Sequence, residues 1–207
     1  MSYFSSSMSE ESRRDPSSAP LRGFPPAGAV DPGDEPLFLI LGSFPSQLSL
    51  ERKEYYGNPK NHFWTIVSAC FGLAEPTGYL GKMELLKRCR IAVWDLFASC
   101  ERPGSLDKDI ARAFPNPVAS LLEGFPTIRS VGANGGASAG GFLKEFVRAH
   151  GALLSRTGDS LAWKPSFSPE RSIRLFRLPS TSPVPTAVFK KAVDKIPLWK
   201  EFFTIRM

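Results

Sequence analysis

The sequence predicts an α/β fold: a three-layer sandwich in which a central, mainly parallel sheet of roughly four strands is flanked by helices. Short apolar runs of strand length alternate with longer segments of helical periodicity, the order that βαβ units produce. The hydrophobic content of 42% and the charged content of 22% are those of an ordinary globular core. No apolar run is long enough to cross a membrane, so we expect no membrane partner.

Four short apolar runs are predicted to be strands buried on both faces, and the first of them ends at Gly42. The predicted strands span residues 37–41, 90–94, 127–132 and 173–178. The predicted helices span residues 62–71, 82–87, 118–122, 141–149 and 186–203. Ligands of open parallel sheets bind outside the carboxyl ends of the strands, so we expect the loops after the four strands to carry the function.

Residues 1–36 are predicted to form a disordered tail rich in Ser, Pro and Gly. The segment has no hydrophobic period, so it buries too little apolar surface to offset the entropy of ordering it. The folded domain is then predicted to span residues 37–207. We expect residues 1–34 to be removable without loss of folding.

The distribution of charge and the number and spacing of the cysteines limit the functions that the protein can have. Residues 1–36 carry a formal charge of −3 and the remaining residues carry +9, most of it near the C-terminus. A basic region of this kind suits a polyanion, DNA or RNA first, although many basic domains bind no anion. Three cysteines without a C-x-x-C spacing exclude a disulfide framework and a four-cysteine metal site. We expect free thiols in a reducing compartment (cytoplasm or nucleus), and neither a metal nor a cofactor.

The loop after the first strand, residues 42–61, lacks the spacing of a phosphate-binding loop and of a nucleophile elbow. This loop and the start of the following helical pattern are dense in aromatic residues and amides, a composition that suits a flat heterocycle held by stacking and hydrogen bonds. Asn61 directly precedes the helical pattern, so capping of the helix is the simpler interpretation of this residue. A cap at this edge of the sheet is compatible with a catalytic role.

Two later loops add polar groups. Asn134-Gly135-Gly136 is a strong turn signal, and its amide can pair with the C=O and N–H edge of uracil or hypoxanthine if a neighbour fixes which way the amide points. The segment LPSTSP, residues 178–183, holds three hydroxyls between prolines, which suits phosphate oxygens. The alternative for both loops is a rigid turn without a ligand.

The strings LGSFPSQLSLERKEYYGNPKNHFW, WDLFASCERPGSLD, ANGG and LPSTSP, in this order, resemble the motifs of the uracil-DNA glycosylase superfamily. They are most similar to its hypoxanthine-DNA (DNA-deoxyinosine) glycosylase branch, over about residues 37–203. The resemblance implies a monofunctional glycosylase of base excision repair that flips out a deaminated base, hypoxanthine and/or uracil, and hydrolyses its N-glycosidic bond. It makes residues 37–207 a glycosylase-like catalytic domain.

The resemblance also assigns roles to residues. Asn61 is the catalytic residue, Phe63 stacks on the flipped base, and Asn134 reads the base edge. The other expected substrate-binding residues are Gly42, Ser43, Phe44 and Tyr56. The expected DNA-binding residues are Ser180, Thr181, Ser182, Lys190 and Lys191. The chain departs from the branch pattern at Phe44, Ser46, Asn58 and Ala133; at Ser46 the pattern has glycine, which can serve a backbone angle that serine resists.

Several alternatives stay open at this point. The chain can be a uracil-specific or mismatch-specific glycosylase, a non-catalytic binder of damaged or single-stranded nucleic acid, or a small-molecule nucleoside hydrolase. Asn61 beside Phe63 weighs against a mere binder, and the basic C-terminal region weighs against the nucleoside hydrolase. We expect a monomer whose partner is DNA that contains deaminated bases.

Overall fold

The computed structural model describes residues 20–102, 109–147 and 154–204, which form one six-stranded sheet, one three-stranded sheet and six α-helices. The strands are β1 (Leu21–Arg22), β2 (Ala27–Gly28), β3 (Phe38–Gly42), β4 (Ile91–Asp95), β5 (Phe97–Glu101), β6 (Ala111–Pro115), β7 (Ser130–Asn134), β8 (Ser160–Trp163) and β9 (Ile173–Leu178). The helices are α1 (Gln47–Arg52), α2 (Phe63–Phe71), α3 (Gly78–Arg88), α4 (Val118–Gly124), α5 (Gly136–Phe142) and α6 (Ala192–Phe203), and a short π-helical segment, Leu143–Val147, follows α5.

The large sheet has the strand order β2-β4-β3-β7-β9-β8. Its four central strands are parallel, whereas β2 and β8 pair antiparallel at the two edges. The predicted parallel core of four strands is therefore confirmed. The edge strands were not predicted, because β2 has two residues and β8 alternates between exposed and half-buried positions without an uninterrupted apolar run.

The core lies where the uninterrupted apolar runs predict it. Leu39, Ile40 and Leu41 of β3 are fully buried. Helix α3 packs against β4 and β2, and α6 packs against α2 and β9. A Cβ atom on Gly132 of β7 would lie 2.6 Å from Leu178 and 2.8 Å from Phe202, so only glycine fits between the sheet and α6 at this position.

The register of the parallel strands brings the predicted loops to one edge of the sheet. Gly42 pairs with Asp95, and Asn134 pairs with Leu178. These four residues are the last residues of β3, β4, β7 and β9. The loops that follow them therefore leave from the same edge, as predicted.

Three helices begin four or more residues from the predicted position, and the first of them, α3, begins at Gly78 rather than at residue 82. Helix α6 begins at Ala192 rather than at residue 186, because the carboxylate of Asp194 accepts the N–H groups of Lys190 and Lys191 and so caps the helix there. Helix α5 begins at Gly136 instead of residue 141, and residues 148–149 of the predicted helix lie outside the described residues.

The predicted disordered tail is wrong for residues 20–36. Strand β1 pairs with β5, and β2 pairs with β4. The carbonyl of Phe24 accepts the indole N–H of buried Trp94 at 3.0 Å, and that of Pro25 accepts the hydroxyl of Tyr55 at 2.9 Å. These residues join the fold through main-chain hydrogen bonds and through a few apolar side chains, such as Phe24 and Ala29, whose spacing makes no hydrophobic period in the sequence. Residues 1–19 of the predicted tail lie outside the described residues.

Deleting residues 1–34 is therefore expected to destabilise the protein, contrary to the expectation from composition. Trp94 and Tyr55 would lose their acceptors, and each buried donor left unpaired costs about 1–3 kcal/mol. At about 2–4 °C per kcal/mol for a domain of this size, the melting temperature should fall by about 5–15 °C. The control is deletion of residues 1–19, which removes none of these contacts. Equal melting temperatures for the two deletions would show that residues 20–34 contribute nothing to stability.

Candidate active site

Side chains from the first, third and fourth loops are joined in one chain of contacts. The ring of Tyr56 stacks on Phe63, and the hydroxyl of Tyr56 accepts a hydrogen bond from Asn134. Asn134 is bonded to Thr181 in the LPSTSP segment. The carbonyl of Thr181 accepts the main-chain N–H of His62 at 2.9 Å, which returns the chain of contacts to the first loop. Three of the four loops that the sequence singled out are therefore in contact at one edge of the sheet.

The N-cap residue of α2 is His62, whose side chain makes no capping bond, so the predicted cap at Asn61 is displaced by one residue. Asn61 lies half-buried just before His62, and its side-chain carbonyl accepts the N–H of Phe63 at 3.0 Å. This bond satisfies an N–H of the first turn of α2, as a cap does. The N–H of Asn61 donates to the carbonyl of Asn58 at 2.8 Å, and the Asn58 side chain accepts the N–H of Lys60 at 2.9 Å. The bond from Phe63 uses the oxygen of the Asn61 amide and leaves its NH₂ group out of that bond.

The amide of Asn134 has a fixed orientation. Its oxygen accepts the main-chain N–H of Thr181 at 2.9 Å, and its nitrogen donates to the Thr181 hydroxyl at 2.9 Å. The same nitrogen donates to the hydroxyl of Tyr56 at 3.2 Å. Thr181 is thus the neighbour that fixes which way this amide points, the condition that reading a base edge imposes.

Phe63 is covered on the face that a base would need. The Tyr56 ring lies parallel to it with centroids 3.7 Å apart, and the rings of Trp64 and Trp199 meet it edge-on. Phe63 is 0% exposed. Stacking of Phe63 on a flipped base stays a prediction, and it requires Tyr56 to move.

Burial raises the pKa of Tyr56, and the charge of Asp95 raises it further. The hydrogen bond with Asn134 acts in the opposite direction. Tyr56 therefore keeps its proton at neutral pH.

The first loop begins inside the protein, where Gly42, Ser43 and Phe44 are all buried. A Cβ atom on Gly42 would lie 2.3 Å from a carboxylate oxygen of buried Asp95, so this position must stay small. Ser43 is buried, and its carbonyl accepts the N–H of Phe97. The ring of Phe44 is buried beneath the Arg102 guanidinium. Binding of substrate by Phe44 stays a prediction, and its ring has little exposed surface.

Ser46 needs no glycine backbone. Its φ is −64°, and its hydroxyl caps α1 by accepting the N–H of Ser49 at 3.2 Å. The departure from the family pattern therefore changes a helix cap and imposes no strain. The second loop continues through residues 103–108, which lie outside the described residues.

The LPSTSP segment divides into buried and exposed hydroxyls. Thr181 is 1% exposed and its polar groups all have partners within the protein, so the prediction that it contacts DNA is corrected: it holds Asn134 and His62 in place. Ser180 is exposed and Ser182 half-buried, and their hydroxyls accept N–H groups of the same loop. The side chains of Lys190 and Lys191 are exposed on the same connection.

Two arginines near this segment are structural. Arg174 donates to main-chain carbonyls at the end of α6, including that of Phe202. Arg177 donates to the carbonyls of Leu154 and Ser155. Their positive charge stabilises chain ends and turns, where carbonyl groups converge.

Sequence reasoning missed the contact between half-buried His62 and buried Lys195. Lys195 is 2% exposed, and its ammonium lies 3.1 Å from Nδ1 of His62 and donates to the carbonyl of Ser182 at 2.9 Å. Burial, and then the charge of Lys195, lower the pKa of His62. His62 is therefore neutral at pH 7, and since Nδ1 faces a donor, its proton lies on Nε2. The signal was available, because Lys195 shares the helical spacing of the buried residues Trp199 and Phe202.

Within the part of the chain that the structure describes, no group of three or more His, Cys, Asp or Glu could hold a metal ion. No helix of the described residues is both long and apolar enough to cross a membrane.

The chain is similar to known proteins over most of their length. A protein of Methanosarcina acetivorans named hypoxanthine DNA glycosylase is 39% identical over 115 residues, which cover 55% of this chain and 70% of that relative. A protein of the same name from Methanosarcina barkeri is 34% identical over 142 residues, covering 66% of this chain and 86% of that relative. The solution structure of a candidate uracil DNA glycosylase from M. acetivorans superposes with a TM-score of 0.62 and 31% identity, covering 88% of this chain and 95% of that one. No family model matches the chain.

Proposed function

The chain belongs to the hypoxanthine DNA glycosylase family of the uracil-DNA glycosylase superfamily, and we propose that its loop cluster binds a deaminated base flipped out of DNA. It is an enzyme, a DNA glycosylase, and DNA is its substrate. A base inside a duplex is out of reach of any side chain, so it must leave the stack before its glycosidic bond can be hydrolysed. Hypoxanthine is the proposed first substrate and uracil the second.

Asn61 is proposed to orient the water that attacks C1′ of the sugar. An amide has no usable pKa, so it orients the water without removing its proton in advance. This suffices if the glycosidic bond breaks early, because the oxocarbenium-like sugar then accepts a weak nucleophile. The cap bond from Phe63 to Asn61 fixes the side chain, which is what positioning a water requires.

Donors aimed at the departing base supply much of the rate in such a reaction, since the base leaves with negative charge. Asn134 is proposed as one donor, through the N–H that Thr181 does not hold. His62 is a second candidate, because it is neutral and carries its proton on Nε2. A neutral donor stabilises the base anion as it leaves, and it binds the released base less tightly than a positively charged donor would.

The observation that carries this proposal is the closed chain of contacts among the loops. The chain of contacts joins Phe63, Tyr56, Asn134, Thr181 and His62. The side chain of Asn61 accepts a hydrogen bond from the N–H of Phe63. Stacking of the base needs an aromatic ring, and reading of the base edge needs an oriented amide. Positioning of the water needs a second amide side chain with a fixed orientation.

The test is incubation of the full chain with duplexes that carry one hypoxanthine, uracil, xanthine or mismatched thymine, followed by alkaline cleavage of abasic sites. We expect free hypoxanthine or uracil to appear in step with alkali-labile sites, and the strand to stay intact before alkali. The unmodified duplex is the control. Absence of base release from every lesion, with the protein folded, would contradict the proposed function.

Lys190 and Lys191 are proposed to contact the DNA backbone. Replacing both with alanine should weaken binding to all sequences and reduce the slope of log affinity against log salt by about one unit per lost phosphate contact. The matched control is the double alanine variant of Lys144 and Lys164, which are exposed on other segments and carry the same charge. An unchanged slope in the Lys190 and Lys191 variant would show that this surface does not meet the backbone.

A further inference from the structure

Lys195 brings a positive charge into the core beside the candidate active site. The residue is 2% exposed. Within the described residues its ammonium contacts Nδ1 of His62 at 3.1 Å and donates to the carbonyl of Ser182 at 2.9 Å. Neither of these partners carries a negative charge. Because a buried charge without a counter-ion is costly, a lysine at this position calls for an explanation.

Two elements supply the groups that face His62. From α6 it meets Lys195, and the neighbouring Asp194 is exposed and directs its carboxylate to main-chain N–H groups at the start of that helix. From the LPSTSP segment it meets the carbonyl of Thr181, which accepts its main-chain N–H. The charged group in contact with the His62 ring is therefore Lys195. Burial, and then the charge of Lys195, hold the pKa of His62 below its ordinary value.

The partner of Nδ1 decides what the other nitrogen of a histidine ring can do. A carboxylate at Nδ1 accepts a proton there, which leaves Nε2 as an acceptor and stabilises the charged ring, as in a histidine that acts as a general base. Lys195 can only donate, so Nδ1 must accept and Nε2 must hold the proton. The charge of the lysine also opposes a second proton on the ring. The contact therefore makes His62 a neutral donor that cannot remove a proton from water.

His62 lies between two residues of the candidate active site. The side chain of Asn61, before it, accepts the N–H of Phe63, after it. The ring of His62 is half-buried whereas Lys195 is enclosed, so the open side of this pair is the histidine. Within the described residues the ring is bonded through Nδ1, and its Nε2 is left to donate.

We propose that Lys195 is a positioning residue: it holds His62 as a neutral Nε2–H donor to the departing base and prevents the ring from becoming a cation that would retain the released base. The inference rests on the proposed function, which takes His62 as a donor to the base. Lys195 itself does not touch the substrate. A charged donor makes a stronger hydrogen bond than a neutral one. A cationic His62 would therefore still stabilise the leaving anion, but it would bind the product more tightly.

The ring nitrogen resonances of His62 report its state directly, and the chain has two histidines. A His150→Gln variant identifies which signals belong to His62. In the unmodified protein we expect a proton on Nε2 and none on Nδ1 at pH 7. In Lys195→Met, which keeps the length of the side chain without its charge, the ring should gain its second proton at a higher pH. Lys200→Met removes an exposed lysine from the same helix and is the matched control, which should titrate like the unmodified protein.

Product inhibition distinguishes positioning from a merely structural role. Free hypoxanthine is added to steady-state excision reactions at pH 5.5 and at pH 8. In Lys195→Met we expect hypoxanthine to inhibit about five-fold more tightly at pH 5.5 than at pH 8, the difference between a charged and a neutral hydrogen bond. Single-turnover excision by the same variant should not fall at pH 5.5, because the charged ring still stabilises the leaving anion. In the unmodified protein and Lys200→Met, inhibition should be equal at the two pH values.

A second pair of variants keeps the test available if Lys195→Met fails to fold. His62→Gln offers an amide oxygen to Lys195 and an N–H to the base, and it stays neutral at every pH. It should keep most of the single-turnover rate, whereas His62→Leu, which has no donor, should lose about 10²-fold. Equal rates for the two variants would overturn the proposal. A proton on Nδ1 or a charged ring at pH 7 in the unmodified protein would overturn it without any variant.

The two proposals fail in different ways. If the unmodified protein releases hypoxanthine, but folded Lys195→Met shows neither an altered titration of His62 nor a pH-dependent inhibition, only the positioning role is wrong. If the unmodified protein releases no base from any lesion, the proposed function fails and the role of Lys195 fails with it.

Discussion

Asn134→Asp is expected to lower the excision of both hypoxanthine and uracil by about 10²–10³-fold, the usual cost of removing one donor to a developing anion. An ionised carboxylate only accepts, so it repels the departing base instead of stabilising it. Single-turnover excision on each lesion measures the effect. The variant should fold, because the main-chain N–H of Thr181 keeps its acceptor and the hydroxyls of Thr181 and Tyr56 can donate to the carboxylate.

Thr181→Val is the companion variant. It keeps the shape of the buried side chain and the main-chain N–H to Asn134 but removes the hydroxyl that holds the amide nitrogen. We expect a smaller loss of excision, about ten-fold, since the amide keeps its donor and loses part of its alignment. Unchanged rates on both lesions in Asn134→Asp, with an unchanged melting temperature, would leave this loop as a turn without a role in base recognition.

The parallel core and its functional edge could be predicted because both follow from simple patterns. An uninterrupted apolar run such as Phe38–Gly42 has one stable location, a strand covered on both faces. Once such strands alternate with helices, their carboxyl ends must share an edge, and Gly42, Asp95 and Asn134 do so. The cap at Asn61 was predicted one residue away from the observed N-cap, His62, but the bond that Asn61 makes to the first turn of α2 follows from residues adjacent in sequence.

The N-terminal strands could not be predicted from side-chain pattern. Residues 20–36 contribute backbone hydrogen bonds to β4 and β5, which nearly any sequence can supply, and a few apolar side chains such as Phe24 and Ala29 that follow no period. Gly28 is the one local clue, since it adopts a φ of +87° and a Cβ there would lie 2.4 Å from the Ile91 carbonyl. A glycine among prolines nevertheless resembles a linker.

The contacts within the site depend on long-range packing, which composition does not encode. The sequence indicated that Phe63 would be an aromatic platform, but not that Tyr56 would cover it. Thr181 was grouped with its neighbours as a DNA contact, although it is buried because its loop folds back onto Asn134. Lys195 was not singled out in the sequence, and it is held inside the protein by His62 and the Ser182 carbonyl.

Asn61→Ala separates the two roles of this residue, because capping and catalysis predict losses of different size. Loss of the bond to the Phe63 N–H should lower the free energy of unfolding by about 1 kcal/mol. For a domain of this size that corresponds to a decrease of about 2–4 °C in melting temperature. Loss of the positioned water should lower the excision rate by about 10³-fold, which corresponds to about 4 kcal/mol in the barrier. Binding of the damaged duplex should persist.

Two variants serve as controls for the cap. Asn61→Asp should keep the melting temperature, since aspartate caps a helix about as well as asparagine. Asn58→Ala removes a comparable side-chain bond, to the N–H of Lys60, from the same loop. It should cost similar stability while reducing excision far less, because Asn58 is not proposed to touch the water or the base.

Whether Asn61 acts in the chemical step is measured by single-turnover excision with folded Asn61→Ala protein on its best lesion. The protein is held in excess over a duplex that it binds, and base release is followed by alkaline cleavage beside the unmodified protein and Asn58→Ala. If Asn61 positions the water, the rate of Asn61→Ala should be about 10³-fold below that of the unmodified protein, with Asn58→Ala close to normal. A rate within a few-fold of the unmodified protein would show that Asn61 only supports the first turn of α2.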